Sequence, residues 1–278
     1  MRNGLIFGYV LLMILSLTLG TEVQAGMVTK SVEYQHDGAV FKGYLAYDDA
    51  LRGRRPGVLV VHEWWGLNDF ARKTAEQLAS LGYVALAADM YGQGLVTQDP
   101  EEAGRLAGEL RGNPALLQAR AQAALKALAE TPVVDPQRLA AIGFCFGGTT
   151  VLELAYAGAG LKGVVSFHGG LTAPRPEELK SIKAAILVLH GADDPHVTGE
   201  AIAAFQEAMR KGGLDWQMVY FGGAVHGFTN PAAGSDKAAG VAYDPRAARR
   251  SWTYMQDFFK EIFAVKERDE KGKVSSEQ

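Results

Sequence analysis

The residue with the most chemical reach in this sequence is a single sulfur. Residues 142–148 read IGFCFGG, and Cys145 is the only cysteine among 278 residues. G-x-C-x-G is the spacing of a nucleophile elbow, with sulfur where oxygen usually stands. Glycines at 143 and 147 let a strand turn sharply into a helix, because any side chain there would collide. The thiol then projects at the start of the helix, whose positive end favours a thiolate. Spacing alone leaves a buried, inert cysteine equally open, since free cysteine is among the most buried residue types.

A thiol nucleophile needs a base, and the base needs an orienter. In an α/β-hydrolase the chain order is nucleophile, acid, histidine. After Cys145, ILVLHGADDPHV offers Asp193 and Asp194, and VYFGGAVHGFTNP offers His226. Asp194 is preferred because it lies on a G-x-x-D-x-x-V pattern from Gly191 to Val197. Asp193 is then expected to face solvent or shape the turn. Position and order select His226 over the rest: His36 in a hairpin turn, His62, His168 and His190 at strand ends, and His196 beside Asp194. Upstream, VVHEWWGLND follows a buried strand, where this fold keeps its second oxyanion donor. The expected oxyanion hole is the backbone N–H of Trp64 with that of Phe146, donors that act when charge develops on the substrate oxygen. Glu63 shares that loop, and a carboxylate beside a thiol would raise its pKa or hold its proton. Without the elbow, Glu63 would read as a solvated loop acid and Trp64 and Trp65 as core.

These residues need a scaffold, and the pattern supplies one. SVEYQ and FKGYLAYD read as strands joined by HDGAV. PGVLVVHE, GYVALAAD, RLAAIGF, GVVSFHG and AAILVLHG are apolar runs of strand length, as expected for strands buried on both faces, and WQMVYFGG is a further strand. Between and after them fall helices: Asn68 capping one to about Ser80, then 100–112, 114–130 with Pro114 in the first turn, GTTVLELAYAG, 198–211 and about 245–264. Alternating strands and helices predict an α/β fold, a mostly parallel central sheet with helices on both faces.

Composition narrows the setting. A formal net charge of -3 gives no general polycation for nucleic acid or an anionic membrane. A lone cysteine excludes an internal disulfide. Residues 1–25, with Arg2, an apolar run and a small-x-small site ending at Ala25, predict a cleaved signal peptide, hence export to the periplasm or medium with no stable membrane contact afterwards. Residues 26–265 then form one domain, and 266–278 a charged disordered tail. No C-x-x-C, H-E-x-x-H or phosphate-loop pattern appears, so no metal or cofactor is expected.

Taken together, HEWWGLN, GYVALAADMYG, IGFCFGG, LHGADDPHV and GAVHGF resemble the dienelactone hydrolase family, in family order across nearly the whole mature chain. The resemblance implies an α/β-hydrolase fold and a triad of Cys145, Asp194 and His226. It implies that Glu63 partners the resting thiol until substrate displaces it, and that Trp64 and Phe146 donate to the oxyanion. Tyr91 fits the family's D-x-Y pattern as a pocket residue or a core tyrosine. The best-known members carry two arginines that hold a substrate carboxylate; here those positions are Gln93 and Asn230. Neutral amides cannot supply a charged bidentate pair. The expected activity is therefore hydrolysis of a small ester, lactone or thioester other than the anionic lactone. Two rivals keep the fold without that chemistry: a binding protein and a thiol redox protein, the latter lacking a resolving cysteine.

Overall fold

A computed structural model describes residues 26–264. The signal segment expected over 1–25 and the tail expected over 266–278 lie outside the described residues. A hairpin opens the fold: β1 (Met27–His36) and β2 (Ala39–Asp48) pair antiparallel through a tight turn at Asp37 and Gly38, both with positive φ. From there strands and helices alternate. β3 (Arg55–Val61) leads to α1 (Asp69–Ser80), whose first turn is capped by the Asn68 carboxamide accepting from the Ala71 N–H. β4 (Val84–Ala88) is followed by α2 (Pro100–Arg111) and α3 (Pro114–Ala129), each with proline in its first turn, where no N–H is needed. β5 (Val134–Phe144) runs into α4 (Phe146–Tyr156), then come β6 (Gly163–Phe167) and β7 (Ala185–Gly191). α5 (Gly199–Gly212), β8 (Trp216–Phe221) and α6 (Pro245–Phe263) complete the fold.

The eight strands lie in the order β1-β2-β4-β3-β5-β6-β7-β8 and are parallel from β4 to β8. Five successive residues of β6 are buried, as are all of β4 and β7, which is why these strands read as unbroken apolar runs. One sheet face packs on α3, α4 and α5 through Leu125, Leu154 and Phe205, the other on α1 and α6 through Leu78 and Phe259. The edge strand β8 is only half-buried. No helix among the described residues is long and apolar enough to cross a membrane. The segment 222–244, between β8 and α6, contains short 3-10 turns at Pro231–Ala233 and Lys237–Ala239 that no periodic pattern in the sequence announces.

All the parallel strands point their carboxyl ends one way. The loops leaving β3, β5, β6, β7 and β8 therefore meet at one rim, the usual place for a site on such a sheet. These loops carry Glu63, Cys145, His168, Asp194 and His226 in turn.

Candidate active site

Cys145 joins β5 to α4 with φ 53° and ψ -112°, a conformation that L-residues rarely adopt. The glycines around it make that turn possible by close approach. A Cβ on Gly143 would sit 2.0 Å from the Gly147 carbonyl oxygen, and one on Gly147 would sit 2.2 Å from that of Val61. The elbow is held from behind as well. The Cys145 N–H donates to the Phe167 carbonyl at 3.0 Å and toward His168 Nδ1 at 3.2 Å. Since His168 Nδ1 accepts, its Nε2 carries the proton and donates to Thr229 Oγ1 at 2.7 Å. Burial, and then the charge of His226, hold the pKa of His168 well below that of a free histidine, so the ring is a neutral bridge between two loops.

His226 sits across from the thiol. Its Nδ1 lies 2.8 Å from Asp194 Oδ2, which leaves Nε2 for Cys145. Burial pulls the His226 pKa down, but hydrogen bonding to Asp194, the interaction with the Cys145 sulfur and the charges of both partners outweigh it, and the group is pushed up to about 10. Asp194 is itself held below the usual carboxylate range. Burial works against this, but His226 and the His196 N–H, donated to Oδ1 at 2.8 Å, prevail. Of the two neighbouring aspartates Asp194 is buried and Asp193 exposed, with the Asp193 N–H turned to the Ala224 carbonyl.

Glu63 is buried, and burial pushes its carboxyl up to about 7 against the opposing influence of Asn230 and His226. Its hydrogen bond goes to Asn230, whose Nδ2 donates to Oε2 at 2.5 Å. Instead of partnering the thiol, as the resemblance implies for the resting state, Glu63 is held by the residue that replaces the family arginine. The N–H groups of Trp64 and Phe146 have no acceptor among the described residues. Trp64 and Trp65 meet edge to face, with ring centroids 4.8 Å apart.

A cavity of about 850 Å³ opens over Cys145 and is lined by Glu63, Trp64, Trp65, His226 and Asn230 among others. Tyr91 and Gln93 do not line it. The Tyr91 hydroxyl donates to the Trp64 carbonyl at 2.8 Å, so this tyrosine braces the oxyanion loop instead. Gln93 occupies a positive-φ turn and donates its N–H to Val40 in β2. That turn is organised by the Asp89 carboxylate, which accepts from the N–H groups of Lys42, Tyr91, Gly92 and Gly94.

The remaining histidines have other work. His62 is fully buried and lowered to about 4 by desolvation; its ring contacts the Glu63 carbonyl and accepts from the Met90 N–H. His36 pairs with Asp37 in the hairpin turn. His190 packs edge-on against Tyr220. His196 lies in the cavity wall with its ring centroid 5.0 Å from that of His226. The bridging role of His168 is not visible in sequence, where it reads as one more strand-end histidine. The available signal was its position at the end of β6, the strand beside the elbow strand. Among the described residues, no group of three or more His, Cys, Asp or Glu could hold a metal ion.

Known proteins share this fold. Residues 41–263 match the profile of the Dienelactone hydrolase family. Protein usf of Aquifex pyrophilus is 30% identical over 83% of this chain and 97% of its own length. A candidate carboxymethylenebutenolidase of Aquifex aeolicus is 29% identical over 82% of this chain and 96% of its own. The crystal structure of the dienelactone hydrolase-like promiscuous phosphotriesterase P91, from metagenomic libraries, superposes with a TM-score of 0.83 at 45% identity, covering 86% of this chain and all of that one.

Proposed function

The chain belongs to the dienelactone hydrolase family, of the α/β-hydrolase superfamily, and from that premise we propose that it hydrolyses ester-type bonds through a thiolate at Cys145. One observation carries the reading: a buried Asp194–His226 pair, bonded at 2.8 Å, whose free imidazole nitrogen faces a thiol on a strained elbow. His226, raised to about 10, holds a proton at neutral pH and favours the thiolate beside it. The sulfur attacks the substrate carbonyl carbon, and the new oxyanion lies between the N–H groups of Trp64 and Phe146. The tetrahedral adduct collapses, and the alcohol leaves with a proton from His226 Nε2. Water, deprotonated by His226, then attacks the thioester and frees the acid and the thiolate. Asp194 keeps the imidazole in the tautomer that presents Nε2.

Glu63 does not compete for the thiol while Asn230 holds it, so the site is poised for attack. With the amide of Asn230 in the cavity wall where the best-known family members carry an arginine, and Gln93 outside it, the favoured substrates are neutral at the reacting end, not small carboxylate-bearing lactones. Export, expected from residues 1–25, belongs to the same proposal and is checked by fractionating cells that produce the full chain.

The test is hydrolysis of a short-chain aryl ester by wild type, Cys145→Ala and Cys145→Ser. Activity that vanishes in Cys145→Ala supports the nucleophile assignment; equal activity in both overturns it. The name of P91 adds a dialkyl aryl phosphotriester to the same panel, since a thiolate that attacks carbonyl carbon can also attack phosphorus. A folded wild type silent on every substrate, whose thiol resists iodoacetamide, would mark a non-catalytic binding protein.

A further inference from the structure

The cavity does not end at the thiol. Cys145, Thr149 and Glu153 follow one another at four-residue intervals, share one face of α4 and all line the cavity. Cys145 and Glu153 are eight residues apart, a rise of about 12 Å along the helix. Pro114 and Leu117 of α3 and Thr172 of the loop after β6 complete the walls of this arm. A trough with apolar sides therefore runs from the reacting sulfur to a carboxylate.

That carboxylate is incompletely satisfied. Glu153 is 7% exposed. One oxygen accepts from Gln118 Nε2 at 3.0 Å, while Oε1 accepts from no group among the described residues and is not fully enclosed. No described cation pairs with it. Arg175, the cation whose field reaches it, is bound to Glu177 at 3.1 Å and Glu178 at 2.5 Å. Arg111 lines the same cavity but lies over the Phe146 ring, 5.7 Å from its centroid. Burial, and more weakly the charge of Glu178, push the Glu153 carboxyl up. Buried carboxylates are ordinarily paired, because desolvation without a counter-charge is costly. Here the cavity that Glu153 lines gives a counter-charge an open approach.

We propose that Glu153 forms a cation subsite at the far end of the acyl arm, and that this hydrolase prefers acyl chains ending in an ammonium group. The acyl chain is the arm assigned because it stays bonded to Cys145 in the thioester and so lies along the helix face that begins there. Since helical side chains lean toward the N-terminus, the gap is shorter than the full rise, and about seven methylenes span it. This inference rests on the thiolate reading above, and the experiment separates the two.

The probes are p-nitrophenyl ω-trimethylammonio-octanoate and its uncharged isostere ending in tert-butyl, assayed on wild type and Glu153→Gln. The Gln118 contact survives in that variant, since the new amide oxygen can still accept. Wild type is expected to show kcat/KM at least about 10-fold higher for the cation, and Glu153→Gln a ratio near one. A purely structural Glu153 would move stability and both substrates together, leaving the ratio unchanged. No preference in wild type, or a preference that survives Glu153→Gln, overturns the subsite while leaving the thiolate reading intact. If wild type cleaves neither ester, calorimetric titration with hexyltrimethylammonium against its uncharged isostere decides the subsite, and the short-chain ester panel above decides the hydrolytic reading. Tighter binding of the cation that is lost in Glu153→Gln supports it, and equal binding overturns it.

Discussion

His168 lies outside the cavity lining and packs edge to face on the His226 ring, 5.2 Å between centroids, and it joins the two loops whose spacing decides whether sulfur and imidazole meet. It accepts from the backbone of Cys145 and donates to Thr229, three residues beyond His226. It is a positioning residue, and its removal should act on orientation. His168→Phe keeps an aromatic ring among Phe144 and Phe228 but loses both hydrogen bonds. Its kcat is expected to fall roughly 10- to 100-fold with KM little changed, as misplacement of about an ångström does. His168→Gln can still accept with its carbonyl and donate with its amide, and should recover most of the rate. The pH profile of Cys145 alkylation should shift in the Phe variant and return in the Gln variant. A Phe variant with wild-type kcat and alkylation profile would show that the bridge does not set the geometry.

At the scale of elements, the turn between β5 and α4 has no room to spare. A methyl on Gly147 would press on two backbone oxygens, those of Val61 at 2.2 Å and His62 at 2.6 Å, neither of which can rotate away. Gly147→Ala should lower stability by about 1–3 kcal/mol or more by overpacking and displace the thiol. Gly160, where an added Cβ would meet nothing within 4 Å, should accept alanine with Tm within a degree or two of wild type. Paired melting curves and ester assays check both. The elbow was legible in sequence because its requirements are local: small residues two apart around a nucleophile, between an apolar strand and a helix. The helices were legible for the same kind of reason, Asn68 and Pro114 marking starts that the structure places beside them. Chain order also singled out His226, and the G-x-x-D-x-x-V pattern Asp194, two residues that the fold brings within hydrogen-bonding distance. What sequence does not disclose depends on contacts distant along the chain. Tyr91 reaches back 27 residues to Trp64, and Asn230 reaches 167 residues to Glu63. Neither carries a periodic or spacing signal, so a tyrosine that braces a loop looks the same as one lining a pocket.

For the whole molecule, the site imposes a pH dependence on stability that its three titrating groups define. Glu63, raised to about 7 by burial, keeps its proton in the folded chain at pH values where the unfolded chain has lost it. Folding therefore binds a proton between about 4.5 and 7, and stability falls as pH rises through that window. His226, raised to about 10, contributes stability that is complete below about 6.5 and lost as pH climbs toward 10. Asp194, held low, contributes stability above its unfolded value near 3.9 that is lost only as acid protonates it. The site is thus most favourable to folding in mildly acidic solution and increasingly costly on the alkaline side. In Glu63→Gln the amide oxygen still accepts from Asn230, but nothing titrates. Its Tm should match or trail wild type near pH 4.5, gain on it steadily to pH 7, and keep a constant lead above. In Cys145→Ala the sulfur no longer supports the imidazolium, so the His226 loss should begin at lower pH. Melting curves from pH 4 to 10 for the three proteins read both effects. A Tm difference between Glu63→Gln and wild type that stays flat from pH 4.5 to 7 would mean that Glu63 is already ionised in the folded chain, held by Asn230 as a carboxylate and free to attract a proton from the thiol.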